Sequence, residues 1–103
     1  MSTKSFAERV REDRRLVILR LLSEQPGYRM NSSNIHAGLH HLAIAASRDD
    51  VATDIHWLRD QSLLQITPVP EAPSLYICEL TGRGNDVAVG NATVPGVNRP
   101  SPR

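Results

Sequence analysis

The chain has almost no cysteine: one, Cys78, in 103 residues. That excludes an internal disulfide and any zinc site built on several cysteines, and the apolar neighbours of Cys78 mark it as a buried thiol. Long apolar runs are missing as well. The longest, Leu42 to Ala46, has five residues, about a quarter of what a membrane-crossing helix needs. Met1 to Ser5 contains no apolar stretch leading to a cleavage site, so the expectation is a cytoplasmic protein without a membrane partner. Excess charge is absent too, the net value being +1. Glycines are scattered and form no phosphate-cradling loop, and no serine, histidine or carboxylate pair has the spacing of a nucleophile elbow or of two opposed acids. The chain therefore reads as not an enzyme, with no cofactor.

What charge there is lies unevenly. Residues 1–30 hold seven basic side chains (Lys4, Arg9, Arg11, Arg14, Arg15, Arg20, Arg29) against four acids, a balance of +3. Residues 47–80 hold Arg48 and Arg59 against six acids, a balance of −4. The length suits one domain around one small core.

Residues 5–25 carry the clearest helical pattern. Ser5 can cap it, with Glu8 three places on completing a capping box. Phe6, Val10, Val17 and Leu21 form an apolar stripe at helical spacing, and Leu16, Ile18, Leu19 and Leu22 add apolar surface on the other sides. That is more than one small core needs, so the stripe is expected to face a second subunit in a homodimer. Asn31 caps a second helix running to Leu42, with Ile35, Leu39 and Leu42 inward. Alanine would let this helix continue through residues 43–46, yet Ser47 followed by Asp50 signals a fresh start. The third helix covers Arg48 to Gln61, its buried row being Val51, Ile55 and Leu58. Residues 63–67 and 74–80 read as paired strands, joined by a stiff loop from Pro68 to Pro73. Thr81 caps a short last helix to Val89. Residues 90–103 are rich in proline, asparagine and glycine and are expected to be disordered.

Three helices, a two-stranded hairpin and then Leu80-Thr81-Gly82-Arg83-Gly84 opening a short helix resemble the winged helix-turn-helix domains of small bacterial regulators. The run Asp13-Arg14-Arg15-Leu16 through Leu22, with Asn31, Ser47-Arg48-Asp49 and Asp54-Ile55-His56-Trp57-Leu58, is similar to the small winged-helix proteins of Mu-like phages and prophages, which are labelled ArsR-like by fold. The resemblance covers residues 5–89. It implies an α+β winged-helix domain over 1–89, with a tail over 90–103, acting as a DNA-binding transcriptional regulator. The chain departs from the pattern in three places. It lacks the cysteine pair of metal-sensing ArsR-type repressors on the third helix. Ser62 stands where a glycine is usual, and residues 67–80 contain no arginine or lysine for a minor groove.

On a wheel centred on Val51, Ile55 and Leu58, the third helix carries Arg48, Ala52, His56 and Arg59 on one flank. Asp50, Asp54 and Trp57 lie on the other, while Asp49, Thr53 and Asp60 point away from the core. In a major groove, Arg48 would read guanine bidentately, with Thr53 and His56 as weaker polar readers. Arg59, Arg11, Arg14 and Arg15 would meet phosphates of the duplex. Trp57 is expected beneath the hairpin or at a subunit contact. His36 and His40 have the four-residue spacing of two metal ligands, but no acid or cysteine nearby supplies a third, so no metal is expected. The acids flanking Arg48 keep a different reading open: a non-catalytic protein–protein interaction module on the same scaffold, with no DNA binding.

Overall fold

A computed structural model describes residues 3–101. Among these residues four α-helices and a three-stranded antiparallel sheet form one α+β unit. The order is α1 (Phe6–Ser23), β1 (Arg29–Asn31), α2 (Ser32–His41), α3 (Arg48–Asp60), β2 (Leu64–Val69), β3 (Ala72–Leu80) and α4 (Gly82–Ala88). In the sheet β3 is central, between β1 and β2. The core joins Ile18, Leu19 and Leu22 of α1 to Ile35 and Leu39 of α2, Ile55 and Leu58 of α3, and Leu64 and Cys78 of the sheet. No helix among the described residues is long and apolar enough to cross a membrane.

Helix starts follow the side chains that satisfy their free N–H groups. Ser5 accepts from the Glu8 N–H, Asn31 from Asn34, and Thr81 from Gly84. Ser47 and Asp50 bond reciprocally at the start of α3, a complete capping box. That box draws the Asp50 carboxyl below its usual range, through its bond from the Ser47 backbone N–H and then through the Ser47 side chain. The glycine-free linker after α2 ends the helix differently. Ala43 takes the left-handed conformation (φ 61°), its N–H bonding to His40 O and the Ile44 N–H to Leu39 O. Ser62 does the same after α3 (φ 62°), with Leu63 N–H bonding to Leu58 O. Each is a Schellman stop built without the glycine that usually occupies it.

Three expectations are corrected here. The sheet has three strands, not two, because Arg29–Asn31 pairs with β3, Arg29 opposite Glu79 and Asn31 opposite Ile77. Three residues are too few to display a period of two. The hairpin is also longer than its prolines suggested, with Pro68 in β2 and Pro73 in β3. Pro68 lies on an edge strand, and Pro73 lies beyond the end of β1, next to a register shift after Pro68, so neither takes a donor from the middle of the ladder.

The third correction concerns the segment from Gly90, expected to be disordered. Through Ser101 it folds back along α1: Val94 and Val97 are buried, and the Asn98 N–H donates to Glu12 O at 3.2 Å. Two valines three apart are enough to anchor a short strap, and Gly96 between them makes it fit. With φ +98°, the Gly96 backbone lies so close to Trp57 that a Cβ there would sit 2.6 Å from Cζ2. Pro102 and Arg103 lie outside the described residues. The short α4 is held in a similar way: Gly84 lies against the Leu63 carbonyl, leaving no room for a side chain.

Candidate functional site

Because Val51, Ile55 and Leu58 are buried, α3 turns its opposite side outward. Arg48, Thr53 and Arg59 are exposed on it, and Ala52, His56 and Trp57 are half-buried. Four of the seven DNA-contact candidates, Arg48, Thr53, His56 and Arg59, thus share one helix. Arg48 takes part in no ion pair among the described residues. Arg59 bonds its neighbour Asp60 at 3.2 Å, an exposed pair of the kind that contributes ~0–1 kcal/mol.

A cleft of about 310 Å³ opens beside the start of α3, between α2 and β3. Arg48 and Asp49 line it from α3, Ser32 and His36 from α2, and Ser74 and Tyr76 from the hairpin. Backbone contacts set His36 in this cleft and His56 farther along α3. His36 Nε2 lies 2.9 Å from Ala46 O, and His56 Nδ1 lies 2.7 Å from Ala52 O. A carbonyl only accepts, so each of these nitrogens donates its N–H. Tyr76 meets His56 edge-on, ring centroids 5.2 Å apart. The Tyr76 N–H donates to Ser32 Oγ at 3.1 Å, tying the hairpin to α2. Tyr76 had no place in the sequence-based site. It stands on the alternating strand pattern, but only the folding of the hairpin onto α2 and α3 brings it there.

Arg14 and Arg15 are corrected outright as phosphate contacts. Both turn inward to Asp54, which is fully buried: Arg14 Nε donates to one carboxylate oxygen, and Arg15 Nε lies 3.4 Å from the other. Arg15 also donates from Nη1 to Gly96 O at 3.0 Å, and its guanidinium stacks 3.9 Å over the Trp57 ring. Burial lowers the Arg15 pKa, and Asp54 partly restores it by its charge and hydrogen bond. Trp57 accordingly packs against Arg15 and the strap, not beneath the hairpin. Asp54 is three residues after Val51 and four before Leu58, a spacing that puts it near the buried row. An acid there demands cationic partners, and the adjacent arginines of α1 supply them.

The stripe assigned to a dimer is split by its surroundings. Phe6 is 81% exposed and Val10 half-buried. Val17 and Leu21 are also half-buried but pack against the core, and Leu21 lies over Gly38 of α2. No group of three or more His, Cys, Asp or Glu side chains is arranged to hold a metal among the described residues.

No family model matches the chain, and no solved structure matches it. It is 44% identical over 92 residues to the uncharacterized protein gp26 of Escherichia phage Mu, covering 89% of this chain and 92% of that one. It is 48% identical over 62 residues to an uncharacterized protein of Haemophilus influenzae, 60% of either chain. At that identity across nine-tenths of both chains, this protein belongs to the family of phage Mu gp26.

Proposed function

We propose that this fold is a winged helix and that the protein is a small, non-catalytic transcriptional regulator that binds duplex DNA through α3. The order α1-β1-α2-α3-β2-β3, with β3 central, supports the fold. The observation that carries the function is the outward row of α3, on which Arg48 and Thr53 are exposed and His56 is half-buried, with Arg48 outside any described ion pair. A long guanidinium near the helix start, followed by small and polar side chains, suits a major groove: Arg48 reads a guanine edge, and Thr53 and His56 make single polar contacts.

With Arg14 and Arg15 committed to Asp54, few cations remain for phosphates, among them Arg59 and the exposed Arg11. Two or three phosphate contacts give a shallow salt slope. Raising salt fourfold, from about 50 to about 200 mM, then weakens binding about 10- to 40-fold, against the thousandfold or more expected of six contacts. Titration of labelled duplex DNA at both concentrations tests this. Arg48→Ala is expected to lose about 1–3 kcal/mol of discrimination at one base pair. Absence of binding even at the lower salt removes the reading.

A different observation favours the other reading, a protein-binding module. Acids interrupt the basic surface wherever it nears α3: Asp54 holds Arg14 and Arg15, Asp60 holds Arg59, and Asp49 adjoins Arg48. The hairpin, residues 64–80, adds no lysine or arginine. A null DNA titration would favour this module.

A further inference from the structure

One side of α1 carries an apolar stripe with no partner among the described residues that accounts for all of it. At 3.6 residues per turn, Phe6, Val10, Val17 and Leu21 fall within about 60° of arc, roughly opposite the core-facing Leu19 and Leu22. Among the described residues, only the C-terminal half of the stripe packs against the core. There Val17 and Leu21, with Leu42 just after α2, line a groove of about 260 Å³ together with Arg20 and Glu24. Leu42 is 50% exposed and Phe6, at the other end of the helix, 81%. An exposed aromatic knob and an apolar groove therefore share one face, about 22 Å apart along the axis.

The spacing of the stripe is its own mirror image. Its steps are 4, 7 and 4 residues, symmetric about a point between Asp13 and Arg14. A two-fold axis through that point lays a second α1 antiparallel on the first, with Val10 on the partner's Val17 and Phe6 on the partner's Leu21. The knob of each copy then meets the groove of the other. An isologous contact requires this kind of self-complementary surface, and Asp13 and Arg20 flank the stripe on one side.

We propose that two copies of this chain pair through the outward face of α1, antiparallel, with Phe6 of each seated in the groove formed by Val17, Leu21 and Leu42 of the other. The pairing covers Phe6, the most exposed large apolar side chain among the described residues. It does not depend on the DNA reading, since it uses the apolar stripe of α1 with Leu42 and no residue of α3.

Two measurements on the full chain test it. Light scattering after size exclusion, over concentrations reaching about 100 μM, is expected to give twice the chain mass for the wild type. Phe6→Glu is expected to give the single mass, and because Phe6 lies outside the core the variant still folds. A wild type that stays monomeric throughout, or a Phe6→Glu variant that stays dimeric, overturns the proposal. Orientation is read from V10C and V17C chains under mild oxidation. Positions 10 and 17 of opposite chains face each other, whereas 10 and its symmetry mate lie about 10 Å apart along the axis, too far to bridge. A mixture of the two variants is expected to form a disulfide-linked dimer, and each variant alone to form little. Self-linking of V10C as efficient as that of the mixture would show a parallel pair and overturn the arrangement. The native Cys78 is buried and does not compete.

Discussion

Asp54→Ala would remove one carboxylate and leave two guanidinium groups without their counter-charge. In the folded protein the Asp54 side chain is 1% exposed, and those of Arg14 and Arg15 are 11% and 10%. Water therefore cannot take the carboxylate's place at low cost. Breaking a buried ion pair from one side costs about 3–5 kcal/mol, most of it for the charge left behind. Two effects pull against each other here. A second stranded arginine raises the penalty, while Arg15 keeps its Gly96 carbonyl and its stack on Trp57, which lowers it. The expected loss is about 3–4 kcal/mol, a large part of the 5–15 kcal/mol by which small domains are stable.

Urea unfolding followed by the fluorescence of Trp57, the sole tryptophan, measures it. At a slope of about 1–1.5 kcal/mol per molar, the midpoint should fall by at least 2 M. Asp54→Asn keeps an acceptor without the charge and should fall between wild type and Asp54→Ala. The combined Asp54→Leu, Arg14→Met variant replaces one ion pair by apolar volume and should recover much of the loss, since such swaps are often near neutral. A loss below about 1 kcal/mol for Asp54→Ala, the level of an exposed pair, would refute the claim that this network is held in the interior.

Gly96→Ala should detach the strap, because its Cβ would fall 2.6 Å from Trp57 at a φ of +98°; the checks are red-shifted Trp57 emission and faster proteolysis between residues 91 and 101, with a stability cost of about 1–3 kcal/mol. Ser62→Gly relieves a left-handed side-chain residue at φ 62° and should raise stability by about 0.5–1 kcal/mol, the strain of about 1–2 removed less the extra chain entropy of glycine. Cys78 yields a pH prediction. Burial pushes its thiol from 9.0 up to about 12, so the folded form keeps a proton that the unfolded chain releases. Its contribution is complete below about pH 9 and is lost as pH rises toward about 12. Stability measured across that window should fall, and Cys78→Ala should flatten the fall; an unchanged slope would mean the thiol is not what titrates.

Where the chain's own covalent chemistry decides a local choice, the sequence was enough. Ser5, Asn31, Ser47 and Thr81 each cap the helix they precede, because a side-chain oxygen beside free N–H groups acts over three residues and needs no distant partner. Val51, Ile55 and Leu58 set the rotation of α3, and with it the exposure of Arg48 and Thr53, because helical periodicity alone selects which side is buried. The family likeness to Mu-like phage proteins was readable in the same way, from short runs on α1 and α3, and the 44% identity to phage Mu gp26 supports it.

Contacts between residues far apart in the chain were decided only by the fold. Arg14 and Arg15 look like any basic pair until Asp54, 40 and 39 residues away, is brought against them. Residues 29–31 become a strand only because β3 offers them a free edge. Val94 and Val97 hold the strap only because α1 and Trp57 provide a surface to fill, since the sequence around them lacks any period of its own. Local hydrogen bonds and helical phase are properties of a few consecutive residues. Charge pairing and burial depend on which segments meet, and the tertiary structure alone supplies that.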